Sequence, residues 1–266
     1  MKFVQKDLDS SINVNVTKAS PVREFLILLL GVIGIIIIVY FLLGLVVNIL
    51  TAEKNPKFEK KLGTIFSLGE TGKSSEQVNK VFDSLLRNVE KDELKYSVSV
   101  VDDDKTENAV IFPGRRIMLY SGLLKNIKSE NELFFILGHE VGHAENNDHV
   151  RSLGRGLVMV FISTAVMGEN NFINRIFSES MQKSDRIYSQ SQERRADLYA
   201  IDLVNKRYGH ISGALDFFER LEKKEGKSLS LFSTHPSLEN RIAELNKYIK
   251  KNGYKEGKKT DIILGK

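Results

Sequence analysis

The sequence predicts an α+β fold that is mainly α, in which one N-terminal transmembrane helix precedes a domain with a small β-sheet. Three observations lead to this prediction. An uncharged apolar run occupies residues 25–50, apolar residues at helical spacing dominate the remaining chain, and three strand-like runs lie between residues 96 and 120. We expect the sheet to pack on the helix that contains residues 139–143.

The length of 266 residues suits one membrane segment and one domain of ordinary size. Because the chain has no cysteine, disulfides, cysteine-based zinc clusters and thiol nucleophiles are excluded. The net charge is +5, and the stretch 247–266 carries seven lysines against two acidic residues. We expect residues 253–266 to form a basic, solvated tail, and we do not predict a nucleic-acid partner.

Residues 1–24 are predicted to be a polar tail and residues 25–50 a transmembrane anchor in contact with lipid. As a helix, these 26 residues span roughly 39 Å, which is enough for a bilayer core. A cleaved signal peptide is the alternative, but the apolar run is long and no A-x-A site follows it. Four basic residues stand on each side of the anchor, so the positive-inside rule leaves its orientation open.

Residues 51–73 are predicted to be a linker. Residues 69–74, GETGKS, overlap its end and partly match a phosphate-binding loop, but Ser67 stands where the first glycine of that motif belongs. We interpret Ser74 and Gln77 instead as the capping box of a helix whose apolar stripe runs through residues 78–89.

The three strand-like runs are residues 96–100, 108–112 and 116–120, and Pro113-Gly114 marks a turn between the last two. An exposed edge of this sheet could pair with an extended peptide. The pattern alone favours an ordinary hairpin.

Residues 130–149 contain the sequence His139-Glu140-Val141-Gly142-His143. Side chains four apart lie on one face of a helix, so the two histidines can bind one metal ion while Glu140 acts as a base. Ser129 and Glu132 are expected to cap this helix. The alternative is a core helix that carries two hydrogen-bonded histidines.

Beyond this helix, the apolar residues 157–167 are predicted to form a buried helix; a helix that dips into the membrane surface is the alternative. The polar stretch 169–187 has no clear period and could be a mobile loop over the site. Residues 191–208 are predicted to be a helix that places Glu193 and Asp197 on one face.

Two residues compete to be the third metal ligand. His149 falls at the third histidine of the long pattern H-E-x-x-H-x-x-G-x-x-H, but Asn146 occupies its glycine position. Glu193 on the later helix is favoured, because Asp197 one turn on could then accept a hydrogen bond from a ligand histidine.

The chain resembles the M48 family of zinc metallopeptidases in four motifs that occur in order. They are N-A-x-x-x-P-G at residues 108–114, HExxH at 139–143, E-x-x-A-D at 193–197 and H-P-x-x-x-x-R at 235–241. The resemblance covers about residues 60–250, and the four motifs together are far more specific than HExxH alone. Many relatives have a second glycine where this chain has Arg115, so the turn is expected to differ there.

The resemblance implies a zincin-type peptidase domain over residues 74–252 that holds one zinc ion. The implied roles are metal binding by His139, His143 and Glu193, catalysis by Glu140 and His235, contacts behind the ligands by Asp197 and Arg241, and substrate binding by Asn108, Ala109, Pro113 and Gly114.

From these features we expect a membrane-anchored zinc endopeptidase that hydrolyses protein or peptide substrates, with Glu140 as general base. The single anchor favours membrane or envelope protein quality control over prenyl-protein processing. A single-pass bacterial inner-membrane protein is expected, with the periplasmic side preferred for the domain although sidedness stays open. Two alternatives are a non-catalytic zinc-stabilised membrane scaffold and a nucleotide-dependent enzyme that uses residues 69–74.

Overall fold

A computed structural model of the chain describes residues 20–52, 54–65, 72–90, 93–168, 188–223 and 238–262. Its described elements, in chain order, are α1 (Pro21–Leu50), α2 (Pro56–Ile65), α3 (Glu76–Leu86), β1 (Ser97–Val101), β2 (Ala109–Phe112), β3 (Arg116–Tyr120), α4 (Ser121–Leu124), α5 (Glu130–Glu145), α6 (Asp148–Met167), α7 (Gln190–Tyr208), α8 (Asp216–Lys223) and α9 (Leu238–Asn252). The chain divides into two compact units, one that ends at Leu43 and one that begins at Gly44. The predicted α+β, mainly α class is confirmed.

The first unit contains most of α1, a helix of 30 residues with no buried side chain. Its length and composition would allow it to cross a membrane, and the same is true of α6, which lies in the second unit. Helix α1 begins at Pro21, four residues before the predicted start of the anchor. Residues 1–19 of the predicted polar tail lie outside the described residues.

Helix α2 corrects the prediction of a linker over residues 51–73. The Asn55 side chain accepts a hydrogen bond from the Phe58 backbone at 3.0 Å, and Pro56 occupies the first helical position. Both are helix start signals that the charged composition of the segment obscured. The helix buries Glu59, so this segment belongs to the domain.

Helix α3 begins one residue later than predicted, because Ser75 rather than Ser74 is the N-cap and accepts from the Val78 backbone. The partial phosphate-loop match receives no support in its described part. Lys73 forms a β-bridge with Val100, and its amine lies 3.3 Å from Asp102. Residues 66–71 lie outside the described residues.

The sheet has the strand order β1-β3-β2. Strands β2 and β3 form the predicted antiparallel hairpin, and β1 pairs with β3 in parallel, which the sequence pattern did not predict. The turn of the hairpin has two left-handed residues, Gly114 with φ 83° and Arg115 with φ 58°. Strand β2 is an edge strand whose four residues are all buried.

Helix α5 is the central element of the second unit. Its residues are buried from the first turn to the last, and it contacts β2, α3, α6 and α7. The closest approach is to α7, where a Cβ added at Gly142 would lie 2.9 Å from the Ala196 Cα. The predicted packing of the small sheet on this helix is confirmed.

Helix α6 corrects the prediction that residues 157–167 are buried. The helix begins at Asp148, directly after α5, and only its first turns and a few later residues are buried. Phe161 is 64% exposed and Met167 is 65% exposed. A continuous apolar run was taken for a core segment, but composition alone does not reveal what covers it. The predicted loop 169–187 lies outside the described residues.

The described part of the C-terminal tail is docked rather than free. The Thr260 backbone donates to the Asn131 side chain at 2.8 Å and accepts from the Glu130 backbone at 2.9 Å. Lys259 also contacts Asp216 at 2.7 Å. The tail therefore satisfies groups at the first turn of α5. Most of residues 253–262 are nevertheless exposed, as predicted for a solvated segment.

Candidate metal centre

Helix α5 presents His139 and His143 four residues apart on one buried face. The helix begins at the predicted cap, where the Ser129 hydroxyl accepts from the Glu132 backbone at 3.2 Å. The two histidines are 6% and 0% exposed. Their Nε2 atoms point at each other across 3.1 Å.

Glu193, in the first turn of α7, completes a group of three ligand atoms that lie within 4.8 Å of one another. Its Oε1 lies 3.3 Å from His143 Nε2, and its Oε2 lies 3.6 Å from His139 Nε2. A tetrahedral zinc ion with ligands at about 2.05 Å requires ligand-to-ligand separations of about 3.3 Å. The observed separations, 3.1 Å between the two Nε2 atoms and 3.3 and 3.6 Å to the two oxygens of Glu193, are close to this value, so the three side chains are arranged as zinc ligands would be.

Asp197 and Arg241 lie behind His139. The Nδ1 of His139 lies 2.9 Å from an Asp197 carboxylate oxygen, which leaves Nε2 directed toward Glu193. The Arg241 guanidinium donates two hydrogen bonds to Asp197, at 2.7 and 2.8 Å, and contacts Glu193 at 2.8 Å. The structure thus brings together four predicted site residues: His139, Glu193, Asp197 and Arg241. Arg241, which α9 contributes, is a cation that offsets the two buried carboxylates.

Asp148 contacts His143 in the way that Asp197 contacts His139, and the sequence analysis did not predict it. Its carboxylate lies 3.2 Å from His143 Nδ1 and is itself held by Gln192 at 2.9 Å and by Arg195 at 3.0 Å. The buried Tyr188 ring also stacks on the His143 imidazole, with ring centroids 3.8 Å apart and planes 13° apart. An acid at the start of the next helix was the available signal for Asp148.

The pKa values of the two imidazoles are driven apart by these neighbours. Burial lowers the pKa of His139, and the charge of His143 adds to this effect. The hydrogen bond that Asp197 accepts from the ring opposes it. Burial also acts to lower the pKa of His143, but the hydrogen bonds that Asp148 and Glu193 accept from its ring outweigh burial and raise that pKa. Burial acts to raise the pKa of Asp197, and the charge of Arg241 reverses this and keeps the carboxylate ionised.

Glu140 lies beside this group and is 2% exposed. It lines a cavity of about 20 Å³ together with His139, Arg241 and the apolar side chains of Ala109, Phe135, Ile136, Phe217 and Phe218. That volume is enough for about one water molecule. The carboxylate of Glu140 therefore adjoins both the ligand group and a small apolar space.

His149 does not join the metal group. Its Nε2 lies 2.9 Å from a Glu59 carboxylate oxygen, and its side chain is fully buried. The alternative in which His149 is the third ligand therefore finds no support in this geometry.

The predicted substrate-binding residues divide into two sets. Ala109 lines the cavity beside Glu140, and its neighbour Asn108 is fully buried. Pro113 and Gly114 instead pack against Gly63 of α2, since a Cβ on Gly63 would meet both of them within 3.2 Å. The structure therefore places Pro113 and Gly114 beside α2 and not at the cavity, and their implied role in substrate binding stays a prediction. His235 lies outside the described residues.

Comparison with known proteins agrees with this geometry. The family model for peptidase family M48 matches residues 73–249. Metalloprotease LoiP of Escherichia coli is 28% identical over 192 residues, which cover 68% of this chain and 73% of LoiP. Metalloprotease YcaL of Escherichia coli is 26% identical over 180 residues, which cover 63% of this chain and 66% of YcaL.

A third similar protein is the mitochondrial metalloendopeptidase OMA1 of Schizosaccharomyces pombe, which is 26% identical over 166 residues. The match covers 59% of this chain and 48% of that protein. The chain therefore spans about half the length of this mitochondrial relative.

Proposed function

Because this chain belongs to peptidase family M48 and is a metalloendopeptidase, we propose that it is a membrane-anchored enzyme that uses zinc to hydrolyse peptide bonds. Its substrates are proteins or peptides. The proposed zinc ligands are His139, His143 and Glu193, and the proposed base is Glu140.

The observation that carries this proposal is the convergence of two Nε2 atoms and one carboxylate at zinc spacing. Each imidazole has a carboxylate near its Nδ1, so when Nδ1 carries the proton of the neutral ring, Nε2 offers its lone pair to a cation. Two imidazoles and one glutamate leave a fourth position open, which is the ligand set of a catalytic rather than a structural zinc site.

When bound, zinc supplies Lewis-acid chemistry: it lowers the pKa of a water molecule and polarises a carbonyl group. The part of Glu140 is to accept a proton from the attacking water and to pass it to the departing amine. Its position next to a small apolar cavity supports this part, because a carboxylate with little competing solvent is held close to the reacting atoms.

The surrounding residues are proposed to position the metal ligands and the substrate. Asp197 and Asp148 orient the two imidazoles, and Arg241 balances the charge of Asp197 and Glu193. Asn108 and Ala109 lie at the start of an edge strand, which could align an extended substrate beside the cavity. His235 is proposed from its sequence motif to stabilise the developing oxyanion.

We propose membrane or envelope protein quality control as the setting. An apolar helix of 30 residues with no buried side chain supports anchorage by α1. The bilayer is proposed to be a bacterial inner membrane, with the peptidase domain preferred on the periplasmic side. A reporter fused after Lys266 tests the side, because its activity depends on the compartment in which it lies.

The test of the function compares the full-length protein with its Glu140→Gln and Glu76→Gln variants on casein. We expect Glu140→Gln to keep its zinc and lose at least 100-fold in cleavage rate, since general-base catalysis contributes about 10²–10⁴-fold. Glu76 is exposed on α3, where it pairs with Lys80, so its variant should cut normally.

A chelator such as 1,10-phenanthroline should stop cleavage by the wild-type protein, and added zinc should restore it. Cleavage at the wild-type rate by Glu140→Gln would contradict the proposal. Bound zinc without any chelator-sensitive cleavage would favour a non-catalytic scaffold.

A further inference from the structure

The apolar side chains of α6 are exposed to an unusual degree for a folded domain. Among the described residues outside α1, the large apolar side chains that are exposed are Phe58 and five on α6, namely Leu157 at 39%, Met159 at 41%, Phe161 at 64%, Val166 at 58% and Met167 at 65%. An apolar surface concentrated on one element indicates a contact with another apolar phase rather than with water.

The charges of α6 are confined to its first half. Asp148, Arg151 and Arg155 stand in the first two turns, whereas residues 156–167 carry no charge. The eleven residues 157–167 extend for about 16 Å as a helix, which is about half the thickness of a bilayer core. This part is therefore too short to cross a membrane but long enough to enter one leaflet.

The first half of α6 packs against the last turns of α1, in residues 44–51 of the same unit. Asn147 donates to the Thr51 carbonyl at 3.2 Å, and Arg151 contacts Thr51 at 3.3 Å. Further along, Arg155 donates to the Asn48 side chain at 3.3 Å. Residues later in α6 contact residues earlier in α1, so the two helices are antiparallel here.

The two helices also contact each other directly at this point. A Cβ added at Gly154 would lie 2.7 Å from a Val47 methyl carbon, so a larger residue there would require the Val47 side chain to shift. Around this contact the exposed side chains of α1 are Leu45, Val46, Ile49 and Leu50, which are 48% to 64% exposed. The apolar surface of α1 and that of α6 therefore belong to neighbouring helices.

The polar contacts between α1 and α6 lie close together along the two helices. Asn48, Thr51, Arg151 and Arg155 form a layer of hydrogen-bonding side chains at the end of α1, and lysines follow it in the chain, beginning with Lys54. Basic side chains at such a level suit the headgroup region of anionic lipids. After Arg155, α6 runs antiparallel to α1, in the direction that leads from Leu50 toward Gly44.

We propose that residues 157–167 of α6 insert into the same bilayer leaflet as the end of α1, with lipid acyl chains covering Phe161, Val166 and Met167. This inference rests on the proposed anchorage by α1 and is independent of the peptidase activity. Two apolar helices would then hold the domain at the membrane. Because α6 also carries Asp148, the element that meets the lipid is the one that positions His143.

The chain has no cysteine, so single labels can be placed without altering other sites. The test uses full-length Phe161→Cys labelled with the fluorophore NBD and reconstituted in vesicles of phosphatidylethanolamine and phosphatidylglycerol. Quenching is measured with nitroxide groups on the lipid acyl chains and with iodide in the water. Lys80→Cys, at an exposed position of α3, is the aqueous control, and Ile35→Cys in α1 reports the anchor.

We expect the label at Phe161 to behave like the label at Ile35, with quenching by lipid nitroxide and at least fivefold weaker quenching by iodide than at Lys80. Met167→Cys should be quenched more strongly by a nitroxide deep in the acyl chain than Phe161→Cys, since it lies about 9 Å further along the helix.

Three outcomes would overturn the proposal. A shielded Ile35 with an iodide-accessible Phe161 would leave the anchor intact and refute insertion of α6. An iodide-accessible Ile35 would refute the anchor, and the insertion with it. A Phe161 label shielded from iodide but not quenched by lipid, with disulfides between copies of the unlabelled variant, would show that a second protein copy covers α6.

Discussion

Asp148 and Asp197 have equivalent positions relative to the two metal-facing histidines. Each carboxylate lies within 3.2 Å of an Nδ1 atom, and each is held in turn by at least one arginine. A hydrogen bond from Nδ1 fixes the tautomer and the ring plane, and it makes Nε2 a better ligand. The site therefore depends on residues that do not themselves face the metal.

Replacing Asp148 by asparagine should weaken zinc binding by about 10–100-fold, because a neutral amide forms a weaker hydrogen bond with His143 than a carboxylate does. Competition with a fluorescent chelator measures this affinity. Asp202→Asn on α7 is the matched control, since Asp202 accepts from Tyr248 and Tyr254 away from the site. Equal zinc affinity in the two variants would show that Asp148 has no positioning part.

The residues of the HExxH motif could be placed from the sequence because helical geometry fixes side chains four apart. Glu193 and Asp197 required both helical spacing and the motif of the resembling family. Asp148 could not be placed, because the chain turns at Asn147, whose left-handed φ of 55° joins α5 to α6. No periodicity of the sequence reveals which way the next helix then points.

At the scale of elements, the metal group exists because α5 and α7 approach each other closely. Gly142 lies between the two histidines, and Ala196 lies between Glu193 and Asp197. Their contact brings the ligand-bearing faces of the two helices together. Small residues at this crossing are therefore a condition for the ligand geometry.

Replacing Gly142 by alanine should lower zinc affinity by about 10–100-fold, because the new Cβ would lie 2.9 Å from the Ala196 Cα and 3.1 Å from its carbonyl oxygen. Helix α7 must then move and carry Glu193 with it. The same chelator competition measures the loss.

Gly138→Ala is the control on the same helix, four residues earlier. Its Cβ would meet Ala200 at 3.4 Å, which is an ordinary contact. We expect normal zinc affinity and a gain of up to about 1 kcal/mol in stability from helix propensity. A Gly142→Ala variant that binds zinc like Gly138→Ala would contradict the close-approach explanation.

Sequence patterns predicted elements well where periodicity was strong and poorly where tertiary contacts decide. The strands and α5 were found at nearly their observed bounds. Helix α2 was missed because its apolar positions are few, although Asn55 and Pro56 gave a start signal. The apolar half of α6 was found but assigned to the core, because an apolar run does not by itself reveal whether it is buried or exposed.

At the scale of the whole second unit, Arg115 joins segments that are far apart in sequence. Its guanidinium is 1% exposed and lies 3.6 Å from both Glu59 of α2 and Glu145 of α5. It also stacks over the Tyr96 ring, whose hydroxyl donates to Glu145. Glu59 in turn contacts His149, so the turn of the hairpin, α2, α5 and α6 share one buried network.

Replacing Arg115 by alanine should cost about 3–5 kcal/mol, because it leaves buried carboxylates without their cation. For a unit of this size, the thermal midpoint should fall by roughly 6–20 °C. Thermal unfolding in detergent, followed by circular dichroism, measures the change.

Lys80→Ala removes an exposed ion pair on α3 and should leave the midpoint unchanged. A similar midpoint for Arg115→Ala and the wild-type protein would mean that the buried network adds nothing to stability. The parallel pairing of β1 with β3 and this network both depend on contacts distant in sequence, which local patterns do not encode.

The most direct measurement is the zinc content per chain of the wild-type, Glu193→Gln and His149→Gln proteins, determined by mass spectrometry after purification and dialysis. All three must first show the same helix content by circular dichroism. We predict one zinc ion per chain in the wild-type and His149→Gln proteins and at least a tenfold lower content in Glu193→Gln. One zinc per chain in Glu193→Gln, with zinc lost from His149→Gln, would contradict the proposed metal centre.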